Sequence, residues 1–381
     1  IIIWRASDGF AIASDFIGRN LSDGVRGATI NAIGSSLPEL FTSLFFLFYL
    51  KDVDGFSGGI GTTAGSAIFN SMIIPAAVIL VVVFLGIARN INVSKKVVRR
   101  DGIALIIAEL LFIMIISGQS IDWWHGLFLM IIYFVYLTYM IFAMERRGYD
   151  ERERRKRALT DIEYKQIPLW SAILSFDLRR VILGKRKIST INAWPLLIIS
   201  TIASAFVCFV LVLSCEWIGS DQYEIPYLGT FYGLDIPIMF VAVILASAAS
   251  SVPDTIISMN DARKGNYDDA ISNALGSNIF DICFALGFPL FLFTLIHGPI
   301  HMHQEIIEMS SELRMLLLIL TILAVSVYVF SKRIRLIHSI FLLGLYGIFS
   351  IYVIGRGLEN KFSAEIAQIL QQMVDYINIF N

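Results

Sequence analysis

Long apolar runs alternate with short polar segments along this chain, and the alternation predicts a membrane protein. A helix needs about 20 predominantly apolar residues to cross a bilayer, and the hydropathy allows about ten such runs. The runs are residues 1–18, 24–50, 58–87, 101–118, 122–143, 193–217, 234–259, 267–296, 312–331 and 335–356. We therefore expect an all-α polytopic membrane protein with about ten transmembrane helices.

The composition agrees with this interpretation. The 381 residues are 56% hydrophobic and only 16% charged, which a soluble domain does not require. Ile1 already lies in an apolar run, and no basic targeting region precedes it. The chain therefore begins either partway through its first helix or after a removed signal, and the sequence leaves both open. Cys208, Cys215 and Cys283 share no metal-ligand or redox spacing and are expected to be packing residues.

The positive charge is concentrated in alternate loops. If those loops face the cytoplasm, most of the 30 Lys and Arg residues lie on that side, including Lys95, Lys96, Arg99 and Arg100. Because positive loops tend to stay in the cytoplasm, this bias predicts extracytoplasmic termini and a cytoplasmic central loop. With no retention signal in view, the plasma membrane is the expected location.

One long polar segment divides the chain. It separates a first half at 1–144 from a second half at 193–358, and residues 359–381 form an amphipathic tail. The segment itself, 145–192, begins with a basic cluster that we interpret as topological charge, with binding to anionic lipid as the alternative. Apolar residues between Trp170 and Ile182 predict a helix on the inner membrane surface. The tail predicts an external surface helix or docking segment over 363–380.

A short motif occurs twice and relates the two halves. The copies are Gly34-Ser35-Ser36-Leu37-Pro38-Glu39 and Ala249-Ser250-Ser251-Val252-Pro253-Asp254, followed by Gly65-Ser66-Ala67-Ile68-Phe69-Asn70 and Gly276-Ser277-Asn278-Ile279-Phe280-Asp281. Five spans separate the copies, and because this number is odd, the second half must cross the membrane upside down. We expect two inverted five-helix repeats whose motifs meet near the midplane, where secondary transporters keep their sites.

The repeated motif combines broken helices with carboxylates. A charged side chain at a helix centre in the bilayer costs on the order of 2.5–3.5 kcal/mol, so Glu39 and Asp254 are functional candidates. The proline before each acid removes a backbone hydrogen bond and frees carbonyl oxygens. Hard cations such as calcium and sodium take oxygen ligands of this kind. The candidate metal ligands are Ser35, Ser36, Glu39, Ser66, Asn70, Ser250, Ser251, Asp254, Ser277 and Asp281.

These residues also suit structures other than an ion site. A single copy of the motif would suit a kinked helix with a buried polar cluster equally well, but two inverted copies argue against that. Ser66 and Ser277 taken alone also suit a small-residue helix contact. Asn70 and Asp281 differ between the copies, which gives three carboxylates. Their charge would balance one divalent plus one monovalent cation, or several sodium ions, and protonation of Asp281 would change that count.

The motif segments resemble the two alpha repeats of cation/calcium exchangers. They run from Gly27 to Ser43, from Ser251 to Ser258, from Ala262 to Gly265 and from Gly276 to Asp281. They look most similar to the potassium-dependent sodium/calcium exchangers, which pair a glutamate in the first repeat with an aspartate in the second. Span count, central loop and inverted topology extend the resemblance over the whole chain.

The resemblance implies roles for the candidate residues. Glu39 and Asp254 would be the carboxylates shared by calcium and sodium, and the serines and Asn70 would be auxiliary ligands. Asp281 matches the acid associated with potassium coupling, although exchangers that ignore potassium also carry an acid there. The Gly-Ser-Ser-Leu of the first repeat and the short cytoplasmic loop depart from the potassium-dependent pattern. No cofactor is expected, and the transported ions would be calcium, sodium and, by resemblance, potassium.

The sequence thus predicts a sodium/calcium antiporter working by alternating access. The expected partners are the bilayer and inorganic cations, with no nucleic acid, and the oligomeric state is not readable. A calcium/proton or other cation exchanger of the same fold is the near alternative, because midplane carboxylates also carry protons. A cation channel and an intramembrane hydrolase using Asp254 and Asp281 are the alternatives from other classes. No phosphate-binding loop or catalytic serine motif supports an ATP-driven pump or a soluble enzyme.

Weaker candidates lie outside the repeats. Asp8 and Asp15 in the first span and Glu109 in the fourth either line a pathway or pair within the bundle, and pairing is favoured for Glu109. His297, His301 and His303 with Glu305 lack ligand spacing on a fixed helix and are interpreted as a solvated external loop.

Overall fold

The computed structural model describes residues 2–17, 32–144, 168–184, 186–225, 227–331 and 333–378. The helices are α1 (Ile2–Ile17), α2 (Ala32–Ser35), α3 (Leu37–Phe45), α4 (Asp52–Phe84), α5 (Lys95–Ile115), α6 (Trp123–Met144), α7 (Leu169–Leu174), α8 (Leu178–Leu183), α9 (Thr190–Gly219), α10 (Ile238–Val241), α11 (Ser247–Ser250), α12 (Val252–Arg263), α13 (Tyr267–Phe280), α14 (Gly287–His297), α15 (Gln304–Phe330), α16 (Leu336–Gly357) and α17 (Lys361–Asn378). Three π-helical segments continue these helices at Phe46–Leu50, Ala242–Ala246 and Asp281–Ala285. The strands are β1 (Ser120–Ile121), β2 (Gln222–Ile225), β3 (Gly229–Tyr232) and β4 (Ile300–His301).

Helices account for each of the ten predicted spans, and the fold class is confirmed. Six described helices are long and apolar enough to cross a membrane, and the pair 238–250 and 252–263, bent by 42°, is a seventh candidate. The rest are the 16-residue α1, the broken α2–α3 and α5, whose first turns are charged. The predicted segments 18–31 and 145–167, including Gly27 to Thr29, lie outside the described residues.

Two helices break where the motif predicts. Ser36 (φ −99°, ψ 12°) separates α2 from α3, and Ser251 (φ −80°, ψ 0°) separates α11 from α12. Pro38 and Pro253 then lie in the first turn of the following helix. A proline is tolerated there because its missing N–H would have no intrahelical partner, so each helix breaks just before it.

Loops on the same face of the bundle bond to one another. Ile91 and Ile334 form a backbone bridge, and the Ser94 amide donates to Asp268 at 2.6 Å, which joins three loops at one end. We call this end the basic face, because it adjoins Lys95 to Arg100. At the other end β1 pairs with β4, and β2 pairs with β3 in a hairpin after α9. We call that end the hairpin face. Successive loops thus alternate between the basic face and the hairpin face, as two inverted repeats require.

The long helix α4 lies at the centre of the bundle. It packs against α3, α12, α13, α15 and α16, and most of its length is buried. Asn278 on α13 donates to the Ala67 carbonyl at 2.9 Å and to Ser71 Oγ at 2.7 Å. Because both acceptors lie on α4, this amide fixes the crossing of the two helices that follow the repeated motifs.

The polar linker and some helix ends differ from the prediction. The single surface helix expected around Trp170 to Ile182 is wrong, because α7 and α8 are separate helices. They are divided at Phe176 (φ 53°), after which Asp177 caps Arg180 N at 3.0 Å. Helix α15 begins eight residues before its predicted span, since hydropathy marks the apolar part of a helix and not its polar first turns. The tail helix α17 packs on α15 through Ala367, Leu370 and Val374.

Candidate ion-binding site

Three carboxylates lie fully buried where the broken helices meet α13. Glu39 is in the first turn of α3, Asp254 is in the first turn of α12, and Asp281 begins the π-helical segment after α13. All three side chains have 0% exposure. Burial of this kind requires hydrogen-bonding partners, a proton or a bound cation.

Ser66 on α4 links two of these acids. Its hydroxyl lies 3.2 Å from Glu39 Oε1, 2.9 Å from Asp281 Oδ2 and 2.7 Å from Ser251 Oγ. Ser251 Oγ lies in turn 3.3 Å from Glu39 Oε1. One small side chain therefore connects α3, the break before α12 and the end of α13, which places both halves of the chain in one cluster.

Asn70 lies one turn beyond Ser66 on α4. Its amide nitrogen donates to Asp281 Oδ2 at 3.2 Å and lies 3.5 Å from Ser277 Oγ. Ser277 itself donates to the carbonyl of Asn273 on its own helix at 2.9 Å. The counterparts Ser66 and Ser277 thus differ in their contacts, because only Ser66 bonds directly to carboxylates.

The remaining serines lie next to acids of the opposite repeat. Ser35 of the first half lies beside Asp254, and Ser250 of the second half lies beside Glu39. Ser36 lies beside Asp281. The structure therefore brings all ten predicted residues together, and it does so with the exchange of partners that an inverted repeat produces.

Several buried oxygens in this cluster have no partner in hydrogen-bond geometry. They are Ser36 Oγ, Glu39 Oε2, Asn70 Oδ1, both carboxylate oxygens of Asp254 and Asp281 Oδ1. A buried acceptor without a hydrogen-bond partner costs about 1–3 kcal/mol. This concentration of unpartnered oxygens therefore favours the binding of a cation. Among the described residues, no group of three or more His, Cys, Asp or Glu side chains could hold a metal ion by itself. A cation here would need hydroxyl, amide or carbonyl oxygens as well.

The two central hydroxyls also carry too few protons for their contacts. Ser66 and Ser251 have one proton each, yet they make contacts with each other, with Glu39 and with Asp281. If both acids are ionised, at least one close oxygen pair has no proton between its atoms. A proton on Asp281 would complete a directed chain from Asp281 through Ser66 and Ser251 to Glu39. A cation between these oxygens would remove the shortfall equally well.

Two residues near the site were not predicted from the sequence. Asn278 fixes the α4–α13 crossing, and Asn273 lies beside Asp254 while donating to Ser258 Oγ at 3.1 Å. Asn273 precedes Ser277 by four residues, which is the spacing of one helix face. That spacing was the available signal, but an asparagine at this position has no counterpart in the first repeat, where Thr62 stands.

Glu109 and the histidines, among the weaker candidates, do not join this cluster. Glu109 is buried and accepts from Thr321 Oγ1 at 2.7 Å, which agrees with pairing within the bundle. His297 stacks on Phe293, and His301 lies in β4. The three cysteines are free and buried, as expected of packing residues.

Comparison with known proteins agrees with this geometry. The sequence profile of the sodium/calcium exchanger protein family matches residues 1–142 and 189–355. The human sodium/potassium/calcium exchanger 5 is 28% identical over 343 residues, covering 74% of this chain and 65% of that protein. An uncharacterized membrane protein of Methanocaldococcus jannaschii is 26% identical over 336 residues and covers 87% of both chains.

Solved structures share the fold. The H+/Ca2+ exchanger CAX superposes with a TM-score of 0.62 at 13% identity, covering 100% of this chain and 90% of that one. The sodium-calcium exchanger NCX_Mj, soaked with 10 mM Na+ and no Ca2+, gives a TM-score of 0.53 at 22% identity, covering 91% and 94%.

Inverted helical repeats with buried carboxylates where the repeats cross are typical of the secondary-transporter class of membrane proteins. Within that class, this chain belongs to the sodium/calcium exchanger family, whose profile matches most of both halves. The chain spans about two thirds of the length of the human sodium/potassium/calcium exchanger 5.

Proposed function

We propose that this protein is a secondary antiporter that exchanges sodium for calcium at the cluster around Ser66. The observation that carries the proposal is the set of unpartnered oxygens on three fully buried carboxylates and their neighbours. Such a site is suited to cations and costs free energy when empty. Sodium and calcium would compete for the same oxygens, so a sodium gradient would drive calcium the other way without ATP. The plasma membrane, with the basic face in the cytoplasm, is the proposed setting.

Purified protein in proteoliposomes tests this function directly. We expect an outward sodium gradient to drive calcium uptake, and replacing sodium by choline to stop that uptake. Protein-free liposomes are the control for leakage. A calcium flux that persists at full rate without any gradient of sodium or protons would indicate a channel and contradict the proposal.

Potassium co-transport with calcium is the finer part of the proposal. It is supported by Asp281, which bonds to Asn70 and Ser66, and by the similarity to the human sodium/potassium/calcium exchanger 5. We expect calcium uptake to rise when potassium is supplied on the calcium side, and the Asp281→Asn variant to lose this response. Uptake that ignores potassium in both proteins would leave sodium/calcium exchange intact and remove the potassium step.

Calcium/proton exchange is the second candidate. The shortage of hydroxyl protons around Ser66 favours it specifically, because a proton on one acid would supply a third proton for the four close oxygen contacts of the ion-free site. A pH gradient imposed in place of the sodium gradient separates the two candidates, since only a proton-coupled exchanger would then accumulate calcium.

Replacing Ser66 by alanine is expected to weaken calcium binding much more than replacing Ser277. Ser66 contacts two carboxylates, and hydrogen bonds to charged groups contribute about 1.5–3 kcal/mol, so the KM for calcium should rise about tenfold or more. Ser277 donates to its own helix, so Ser277→Ala is the matched control, with a change below about threefold. Calcium-dependence of uptake measures both. Equal effects would show that the repeats contribute symmetrically and that the contacts of Ser66 are not decisive.

A further inference from the structure

The two repeats differ in what lies between the site and each face of the bundle. The register that aligns Glu39 with Asp254 also aligns Phe46 with Asp261, and the register that aligns Ser66 with Ser277 aligns Gly58 with Asp269. These positions lie about two helical turns from the site on each side. The hairpin side therefore has an aromatic residue and a glycine where the basic side has two acids.

On the hairpin side, Phe46 fills the space completely. Its side chain has 0% exposure and packs in one cluster with Val212 and Cys215 of α9 and with Val241, Ala242 and Ala246. The ring lies so close to Gly58 on α4 that a Cβ at this glycine would overlap it. Thr62, between Gly58 and Ser66 on the same helix, is also fully buried. An apolar ring therefore fills the space between α4 and the opposite repeat at this level, where a hydrated ion would lose its water without gaining a polar partner.

On the basic side, polar residues form a continuous stripe along α13. Asp269, Asn273, Ser277 and Asp281 follow one another at intervals of four residues, so they share one helix face. Asp269 is exposed, Asn273 is partly exposed, Ser277 is 2% exposed and Asp281 is fully buried. Exposure therefore decreases stepwise from the basic face to the site.

Asn273 connects this stripe to the second acid of the site. Its amide lies beside Asp254 and donates to Ser258 Oγ at 3.1 Å, one turn nearer the basic face than Asp254. The first-repeat counterpart Thr62 donates to Gly58 on its own helix at 2.9 Å, so it makes no such bridge. A cation that has reached Asn273 is thus adjacent to Asp254, with Ser277 and Asp281 further along the same face.

We propose that this conformation connects the site to the basic face along the α13 stripe, while Phe46 is a hydrophobic gate that closes the hairpin face. The inference rests on the proposed function, because a gate matters only if ions cross. Hydrated sodium or calcium ions would approach along the polar side chains of this stripe. Opening toward the hairpin face then requires Phe46 to leave its contacts with α4 and α9.

Cysteine accessibility tests the gate without requiring transport. Asn273→Cys and Thr62→Cys would each be made with the three buried native cysteines kept, because Cys215 packs in the Phe46 cluster, and labelled with a membrane-impermeant cationic thiol reagent. The same protein without the introduced cysteine gives the background labelling. Vesicles of both orientations expose each face in turn. We expect Asn273→Cys to react from the basic face about tenfold faster than Thr62→Cys reacts from either face, because reaction requires solvent access to the thiol. Thr62→Cys labelled as fast as Asn273→Cys would overturn the proposal.

Truncating the ring gives the second arm of the experiment. Adding Phe46→Ala is expected to raise labelling of Thr62→Cys from the hairpin face about tenfold and to leave Asn273→Cys unchanged. Val212→Ala is the matched control, because it also removes apolar volume from the Phe46 cluster but keeps the ring. If both variants raise labelling equally, general loosening explains the effect and the gate is wrong. If Phe46→Ala fails to fold, equal labelling of the two cysteines with Phe46 intact would still overturn the proposal.

Calcium uptake by the unsubstituted protein separates the two hypotheses. If the labelling pattern is as expected but the protein exchanges no calcium, the proposed function is wrong. Closure of the hairpin face and access from the basic face would still hold. If the protein exchanges calcium but Asn273→Cys and Thr62→Cys are labelled equally fast, the proposed function holds and Phe46 is not a gate.

Discussion

Replacing Glu39 by glutamine or Asp254 by asparagine is expected to abolish sodium-driven calcium uptake. Each substitution keeps the size of the side chain and removes its negative charge. Both acids are fully buried and carry oxygens without partners, so in our proposal the cation is their main source of stabilisation. Removing one partner of a buried charge pair costs about 3–5 kcal/mol, which corresponds to a loss of calcium affinity of about a hundredfold or more. The dependence of uptake on calcium concentration in proteoliposomes measures this loss of affinity.

Glu109→Gln is the matched control for these variants. Glu109 is a carboxylate equally buried within the bundle, and its Oε2 also lacks a partner, but its Oε1 accepts from Thr321 and it bonds to no described residue of the site. Glutamine can still accept that hydrogen bond through its side-chain oxygen. We therefore expect uptake to remain close to that of the unmodified protein. If all three variants lose transport to the same degree, burial of an acid would be the common cause, and the assignment of Glu39 and Asp254 as ligands would be wrong.

The architecture and the location of the site are predictable from the sequence because both follow from repetition. Ten apolar runs set the number of helices, and an odd number of spans between the motif copies requires the inverted arrangement. The prolines after Ser36 and Ser251 also locate the helix breaks. Each of these features depends on residue type and spacing along the chain.

The asymmetry of the site is not predictable in this way. Ser66 and Ser277 occupy the same place in two nearly identical motifs, yet one bonds to carboxylates and the other to its own helix. The role of Asn278 is not predictable from the sequence either, because its contacts depend on where α4 crosses α13. Contacts between residues some 200 positions apart are decided by helix packing, which the local pattern does not specify.

The division of the polar linker has a different cause. Apolar residues from Trp170 to Ile182 suit one amphipathic helix, but Asp177 accepts from the Arg180 amide and begins a new helix there. An aspartate at a helix N-terminus competes with continuation of the preceding helix. The hydrophobic pattern places both helices on one apolar face, and the local capping interaction divides them.

Gly65 and Gly276 provide the sharpest test of this hidden asymmetry, because the motif makes them equivalent. A Cβ at Gly65 would overlap the backbone of Val243, with the Val243 Cα at 2.8 Å and the Ser247 Cβ at 2.9 Å. A Cβ at Gly276 would meet only the Tyr136 hydroxyl, at 3.5 Å, which is an ordinary contact. The close approach at Gly65 is where α4 crosses the π-helical segment that leads into the second repeat's motif.

Gly65→Ala is therefore expected to destabilise the protein and to impair uptake, whereas Gly276→Ala is expected to be tolerated. Overpacking typically costs about 1–3 kcal/mol, and backbone atoms cannot move aside as a flexible side chain can. At Gly276 the substitution instead gains helix propensity, about 1 kcal/mol relative to glycine. Thermal unfolding of the purified proteins in detergent, followed by calcium uptake, measures both effects. Equal stability of the two variants would show that α4 does not cross the second repeat as closely as the structure indicates, and the shared site around Ser66 would lose its geometric basis.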